Sequence, residues 1–258
     1  MIRIFLLLSS INKVNPSATF ERGVCCRAVV LSCLAAMFIA LTLLLPTQTV
    51  LANEESEKHY QQAETHHINR NFQEAVEEYT KAIAIEEKPV YYNNRGNAYS
   101  KLGQKEHAIQ DYNKALELNP NYAMPYNNRG VVYSDLGQKE RAIQDYDKAI
   151  ELNPNYASAY YNRGSIYSDL GQKDRAIADY DKAIELNPNF AEAYNNRGLA
   201  YAMVGNFKQA IADATKAIQL NPNYAKAYQL RGICYRELGD NEKTQADFAK
   251  AKELGYNG

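Results

Sequence analysis

Between Pro89 and Tyr122 the chain reads PVYYNNRGNAYSKLGQKEHAIQDYNKALELNPNY, and its small and aromatic positions fall into two stripes. Tyr92, Arg95, Gly96 and Tyr99 recur at spacings of three and four, as do Ala108, Tyr112 and Ala115. That spacing predicts two amphipathic helices of about a dozen residues each. Gly103 stands between them, where a helix C-terminus takes a left-handed residue. Pro120 disfavours helical geometry at Asn119 and closes the second helix. The predicted unit is an αα-hairpin.

This unit returns. Gly96, Gly130, Gly164, Gly198 and Gly232 are spaced 34 residues apart, each inside a phrase such as NNRG or YNRG. A fixed period of that size marks a stacked array, because one hairpin cannot cover its own apolar flank. The repeats run 89–122, 123–156, 157–190, 191–224 and 225–258, preceded by a degenerate one, 56–88, that keeps Ala75, Tyr79 and Ala82 but lacks the glycine and the arginine. Gly96 with Ala108, and their counterparts, are small enough to let the paired helices approach. Of the 21 tyrosines, 16 fall at four places in the period, which assigns them to packing and not to base stacking. Each arginine of the phrase is followed sixteen residues later by an aspartate, from Arg95 with Asp111 to Arg231 with Asp247. Five copies of one pair predict an inter-helix bridge, within a repeat or to its neighbour, and not a catalytic dyad. In the first repeat Glu78 takes the aspartate's place and Gln62 is expected to face it. At the far end Thr244 and Gln245 replace the Ala and Ile of earlier repeats, as expected of a polar cap.

The order aromatic, glycine, tyrosine, alanine, aromatic, alanine, proline at a period of 34 resembles the tetratricopeptide repeat (TPR) family over about 200 residues. Tyrosine stands where the family often has tryptophan, and the five arginines stand where it has leucine. The resemblance implies an all-α solenoid of about six 34-residue helix-turn-helix repeats wound into a right-handed superhelix. It also implies a concave groove, lined by the first helices, that holds a peptide. Its backbone would be bonded by Asn94, Asn128, Asn162 and Asn196, with Asn97 one turn along, since a carboxamide both donates and accepts. The alternative is that these amides hold only neighbouring helices or water. Basic residues that clamp a terminal carboxylate in chaperone-binding members are missing: the matching places hold Asn93, Ser158 and Asn162. Groove-facing places run from neutral ones, among them Asn127, Tyr161 and Ser165, to apolar Leu199, Ala202, Met203 and Ile233. Those four are expected either to anchor a partner's hydrophobic side chain or to pack between adjacent first helices.

Residues 28–45, AVVLSCLAAMFIALTLLL, carry no charge, follow Arg22 and Arg27, and precede Glu54, Glu55 and Glu57. The asymmetry directs the C-terminal part of the chain out of the cytoplasm, to a periplasmic or other extracytoplasmic compartment. Residues 1–52 are therefore expected to be a signal peptide cleaved after Ala52 or a membrane anchor, and 53–258 the TPR domain. Without residues 1–52, 25 basic and 29 acidic residues remain, which argues against a nucleic-acid partner. Three of four cysteines lie in that leader, so no disulfide framework is expected, and Cys234 is predicted to be a small core residue. His59, His66 and His67 lack accompanying ligands and are expected at the solvated surface, with no metal or other cofactor. No P-loop, HExxH or Ser-His-Asp set is present. The function expected is an exported adaptor that is not an enzyme and binds a protein or peptide segment in its groove. The alternative is an assembly factor of a membrane-associated complex, acting through self-association or repeat faces.

Overall fold

The computed structural model describes residues 50–256. The chain divides into two units, Met1–Glu55 and Ser56–Gly258. Of the first only residues 50–55 are described, and the apolar run 28–45 lies outside the described residues. No helix among the described residues is long and apolar enough to cross a membrane.

The described residues form twelve helices and no strand. Helix α1 spans residues 50–68. The others are α2 Phe72–Ile85, α3 Pro89–Lys101, α4 Lys105–Leu118, α5 Ala123–Asp135, α6 Lys139–Leu152, α7 Ala157–Asp169, α8 Lys173–Leu186, α9 Ala191–Met203, α10 Phe207–Leu220, α11 Ala225–Glu237 and α12 Asn241–Glu253. Odd-numbered helices are the first of each hairpin and even-numbered ones the second. The fold is an all-α solenoid of helical hairpins. Turns obey the local chemistry: Gly103, Gly137, Gly171, Gly205 and Gly239 all have φ between 71° and 81°. Second helices α2, α4 and α10 end in an extended residue, as at Asn119 with φ −144°, whose side chain accepts from the backbone of Asn121 at 3.1 Å.

Close approach inside the five hairpins from α3 onward rests on glycine. A Cβ added to Gly130 would lie 2.7 Å from the Tyr146 ring, and one on Gly96 2.8 Å from Tyr112. Those rings are almost fully buried, each contributing on the order of 2 kcal/mol through lost hydration. In repeat 191–224 the ring is absent: Ala214 takes its place, and Leu230 from the following repeat fills the space, 3.1 Å from where a Cβ on Gly198 would stand.

The arginines form a joint of three helices. Arg163 on α7 forks onto Asp179 of α8, Nε to Oδ2 at 2.8 Å and Nη2 to Oδ1 at 2.7 Å, closing its own hairpin. Its Nη1 reaches back to Asp147 on α6 of the preceding repeat at 2.6 Å. Arg95, Arg129, Arg197 and Arg231 do the same, with Thr80, Asn113, Asp181 and Thr215 as the backward partner. The bridge is therefore both within a repeat and between repeats. The guanidinium also lies 5.6 Å from the Tyr160 ring and 5.9 Å from Tyr167, one helical turn to either side. Tyrosine for tryptophan and arginine for leucine are thus one linked departure. The bonds to Asp179 and then Asp147 hold the Arg163 guanidinium above its ordinary value despite burial.

Three local expectations change. Glu78 is held by His59 Nδ1 at 2.6 Å and by Lys81, while Gln62 is exposed; His59, three residues earlier on the same helix, takes the place expected of the glutamine. Thr244 is buried at 7% exposure, because its place faces its own first helix, and its hydroxyl donates to the Asp240 carbonyl at 2.8 Å. Only Gln245 of the expected polar cap is exposed. His59, His66 and His67 are half-buried, not solvated.

In the degenerate repeat the left-handed turn is taken by Arg70, with φ 62°. A Cβ there costs energy that glycine avoids. Arg70→Gly should raise stability by about 1 kcal/mol in denaturant unfolding; a lower or unchanged midpoint would contradict this.

Candidate functional site

Neighbouring first helices, α3 with α5, α5 with α7, α7 with α9 and α9 with α11, approach one another, and the second helices do not come as near. The first helices therefore make the inner face of the stack. Their phrase places two side chains there in each repeat, at the positions of Asn93 and Asn94.

Those amides form a ladder. Asn128 Nδ2 donates to Asn93 Oδ1 at 3.1 Å and to Asn97 Oδ1 at 3.0 Å, across from α5 to α3. Asn162 Nδ2 donates to Asn127 Oδ1 at 3.0 Å, from α7 to α5. Asn94 Nδ2 reaches Tyr60 at 3.1 Å and Glu64 at 2.9 Å on α1. Asn196 Nδ2 reaches the Tyr161 hydroxyl at 3.1 Å. Within a helix, Asn93, Asn127 and Asn195 each donate to the following asparagine, which occupies its oxygen. Tyr161 stands where that donor would be for Asn162, so the Asn162 oxygen keeps its acceptor capacity. The four asparagines singled out from the sequence thus all bond neighbouring helices, and Asn162 has the most left to offer.

Asn97 and Asn128 also line a cleft of about 270 Å³ with His67, Ser100, Lys101, Tyr112 and Val131. The Tyr112 hydroxyl donates to Asn97 Oδ1 at 2.8 Å and fixes that amide. Burial holds His67 below its ordinary value against the pull of Glu64, so its ring is neutral at pH 7. Lys101 is exposed and is the cleft's one formal charge. Sequence reasoning named Asn97 and Asn128 but missed His67, Ser100 and Lys101. Ser100 and Lys101 lie three and four residues beyond Asn97, on the same helical face, and that was the available signal.

At the other end the ladder stops. The place of Asn94 is held by Leu230 in the last repeat, and Asn195 Oδ1, which would accept from it, is buried without a partner. The leucine that fills the space left by the missing tyrosine at Ala214 is the residue that ends the ladder. Beyond it the face is apolar: Leu199 is 45% exposed and Met203 48%. These two are not spent on packing between first helices, whereas Ala202 packs against the cluster of Ala210, Ala214, Leu230 and Cys234. Ile233 is half-buried. Tyr161 is half-buried too, its ring 4.7 Å from Phe190 and 5.9 Å from Tyr180. Cys234 is fully buried, and burial pushes its thiol up to about 11. No group of His, Cys, Asp or Glu among the described residues could hold a metal ion.

Family models described as TPR repeat match residues 132–171 and 164–205, and models described as tetratricopeptide repeat match 57–89, 89–122, 111–144, 191–224 and 214–246. Together they reach across well over half of the sequence. The chain belongs to the tetratricopeptide repeat family. Among solved TPR structures, the crystal structure of MamA protein is 32% identical with a TM-score of 0.57, covering 64% of this chain and 91% of that one. The crystal structure of YrrB, described as a TPR protein with an unusual peptide-binding site, is 28% identical with a TM-score of 0.57, covering 69% and 92%. Photosystem I assembly protein Ycf3 from Acaryochloris marina is 32% identical over 74 residues, which are 27% of this chain and 44% of that protein. This TPR chain therefore matches less than half the length of that curated relative.

Proposed function

We propose that the TPR array is a protein–protein interaction scaffold that holds an extended peptide segment along its first-helix face. The observation that carries this is the state of that face. Its amides are fixed by the ladder, the Asn162 oxygen is open, and Leu199 and Met203 stay exposed beside it. Fixed amides bind without loss of side-chain freedom, which favours affinity. Each amide bond supplies about 0.5–1.5 kcal/mol, well short of the ~8 kcal/mol of a micromolar complex, so side-chain contacts supply the remainder. YrrB, with its peptide-binding site, is similar to this chain over most of its own length, which supports the reading. Recurring residues all have packing partners, which supports binding and not catalysis. A second reading, an assembly factor of a membrane-associated complex acting through self-association or repeat faces, draws support from the partial likeness to an assembly protein.

The array is further proposed to work outside the cytoplasm, cleaved after Ala52 or anchored through residues 28–45, on the charge asymmetry around that run. Mass analysis of the mature protein should find Asn53 at its N-terminus or an intact anchor; a chain that fractionates with the cytoplasm would rule export out. For the groove, a peptide array probed with the full chain should yield binders that Asn162→Ala weakens about three- to tenfold, with the array still folded and its melting temperature lowered only by the lost bond to Asn127. No binder, with a stable oligomer in solution, would overturn the groove reading in favour of the second.

A further inference from the structure

The cleft between α3 and α5 draws three residues from α3: Asn97, Ser100 and Lys101. Since the hairpins repeat every 34 residues, the same three places recur at each later junction. They hold Val131, Ser134 and Asp135, then Ser165, Ser168 and Asp169, then Leu199, Ala202 and Met203. The last of each triplet therefore runs cation, anion, anion, apolar along the face. Lys101 and Asp135 are exposed, and neither side chain has an ion-pair partner among the described residues. Asp169 is partly answered by Lys139 at 3.6 Å. Met203 and Leu199 lie open at the far end.

Resting on the groove reading above, we infer that the bound segment has a fixed order of side chains: an acidic one at Lys101, a basic one opposite Asp135, and a large apolar one on Leu199 and Met203. Opposite charges placed on one face set the register of a bound segment more than its affinity. Apolar anchoring supplies the affinity. The spacing comes from geometry. Adjacent packed helices lie about 8–10 Å apart, so three junctions separate the acidic and apolar sites by roughly 24–30 Å. An extended segment advances about 3.3 Å per residue, which puts the two side chains about seven to nine residues apart, with the basic one about three residues from the acid.

The test uses the full chain and synthetic twelve-residue peptides carrying Glu, Lys and Leu at that spacing, in both chain directions, read by fluorescence anisotropy. Control peptides exchange the Glu for Lys or the Leu for Ser. Lys101→Glu should weaken the Glu peptide about threefold and strengthen its Lys counterpart, a reversal that a structural role of Lys101 would not give. Met203→Glu should weaken the Leu peptide about tenfold and leave the Ser peptide unchanged. Both side chains are exposed, so both variants fold. If peptides bind and respond to Asn162→Ala but not to these exchanges, the side-chain order is wrong while the groove reading stands. If no peptide of either direction binds, both fail together.

Discussion

The structure depends on the guanidinium that each repeat inserts between three helices. Arg163 closes its own hairpin through a two-bond fork to Asp179 and ties it to the preceding hairpin through Asp147. Only arginine offers five donors in a rigid planar fork, so neither leucine nor lysine would make both connections at once. Asp111, Asp145, Asp179, Asp213 and Asp247 are all at least nine-tenths buried, and a buried carboxylate without its partner is costly. Tyr160 and Tyr167 flank the ion and limit its movement. Joints of this kind make neighbouring repeats interdependent, as expected where stability is a sum of repeat and interface terms.

With the joint placed toward the second helices, the opposite face of each first helix is free for another use. Asparagine amides bridge α3, α5 and α7 there, so the face is rigid before any ligand arrives. Its polarity then changes because of one packing adjustment. Ala214 leaves room beside Gly198, Leu230 takes that room, and the amide that Leu230 replaces can no longer pair with Asn195. A core exchange on α10 thereby coincides with the change of the inner face from polar at Asn97 to apolar at Met203.

Much of this was legible in the sequence because the chain repeats its solution. The 34-residue interval, the glycines that turn and those that pack, and the Arg–Asp spacing are each present in several copies, so chance spacing was excluded from within one chain. The backward partner of each arginine was not legible, since Thr80, Asn113, Asp147, Asp181 and Thr215 differ in chemistry. The degenerate repeat misled for the same reason: with no arginine to compare, His59 went unnoticed as the partner of Glu78. The asparagines were found by position, but which of their atoms remain open depends on contacts between repeats. Lys101 was missed because its place holds Asp135, Asp169 and Met203 elsewhere, and a site built on variation has no period to reveal it.

The most direct measurement is a pair of double-mutant cycles in the full chain, one on Arg163 with Asp179 and one on Arg163 with Asp147, by denaturant unfolding. Asp179 is buried and Asp147 is half-exposed. The predicted couplings are on the order of 1–3 kcal/mol for the first and below about 1 kcal/mol but above zero for the second. Zero coupling in the first cycle would mean that the guanidinium joint does not hold the array together.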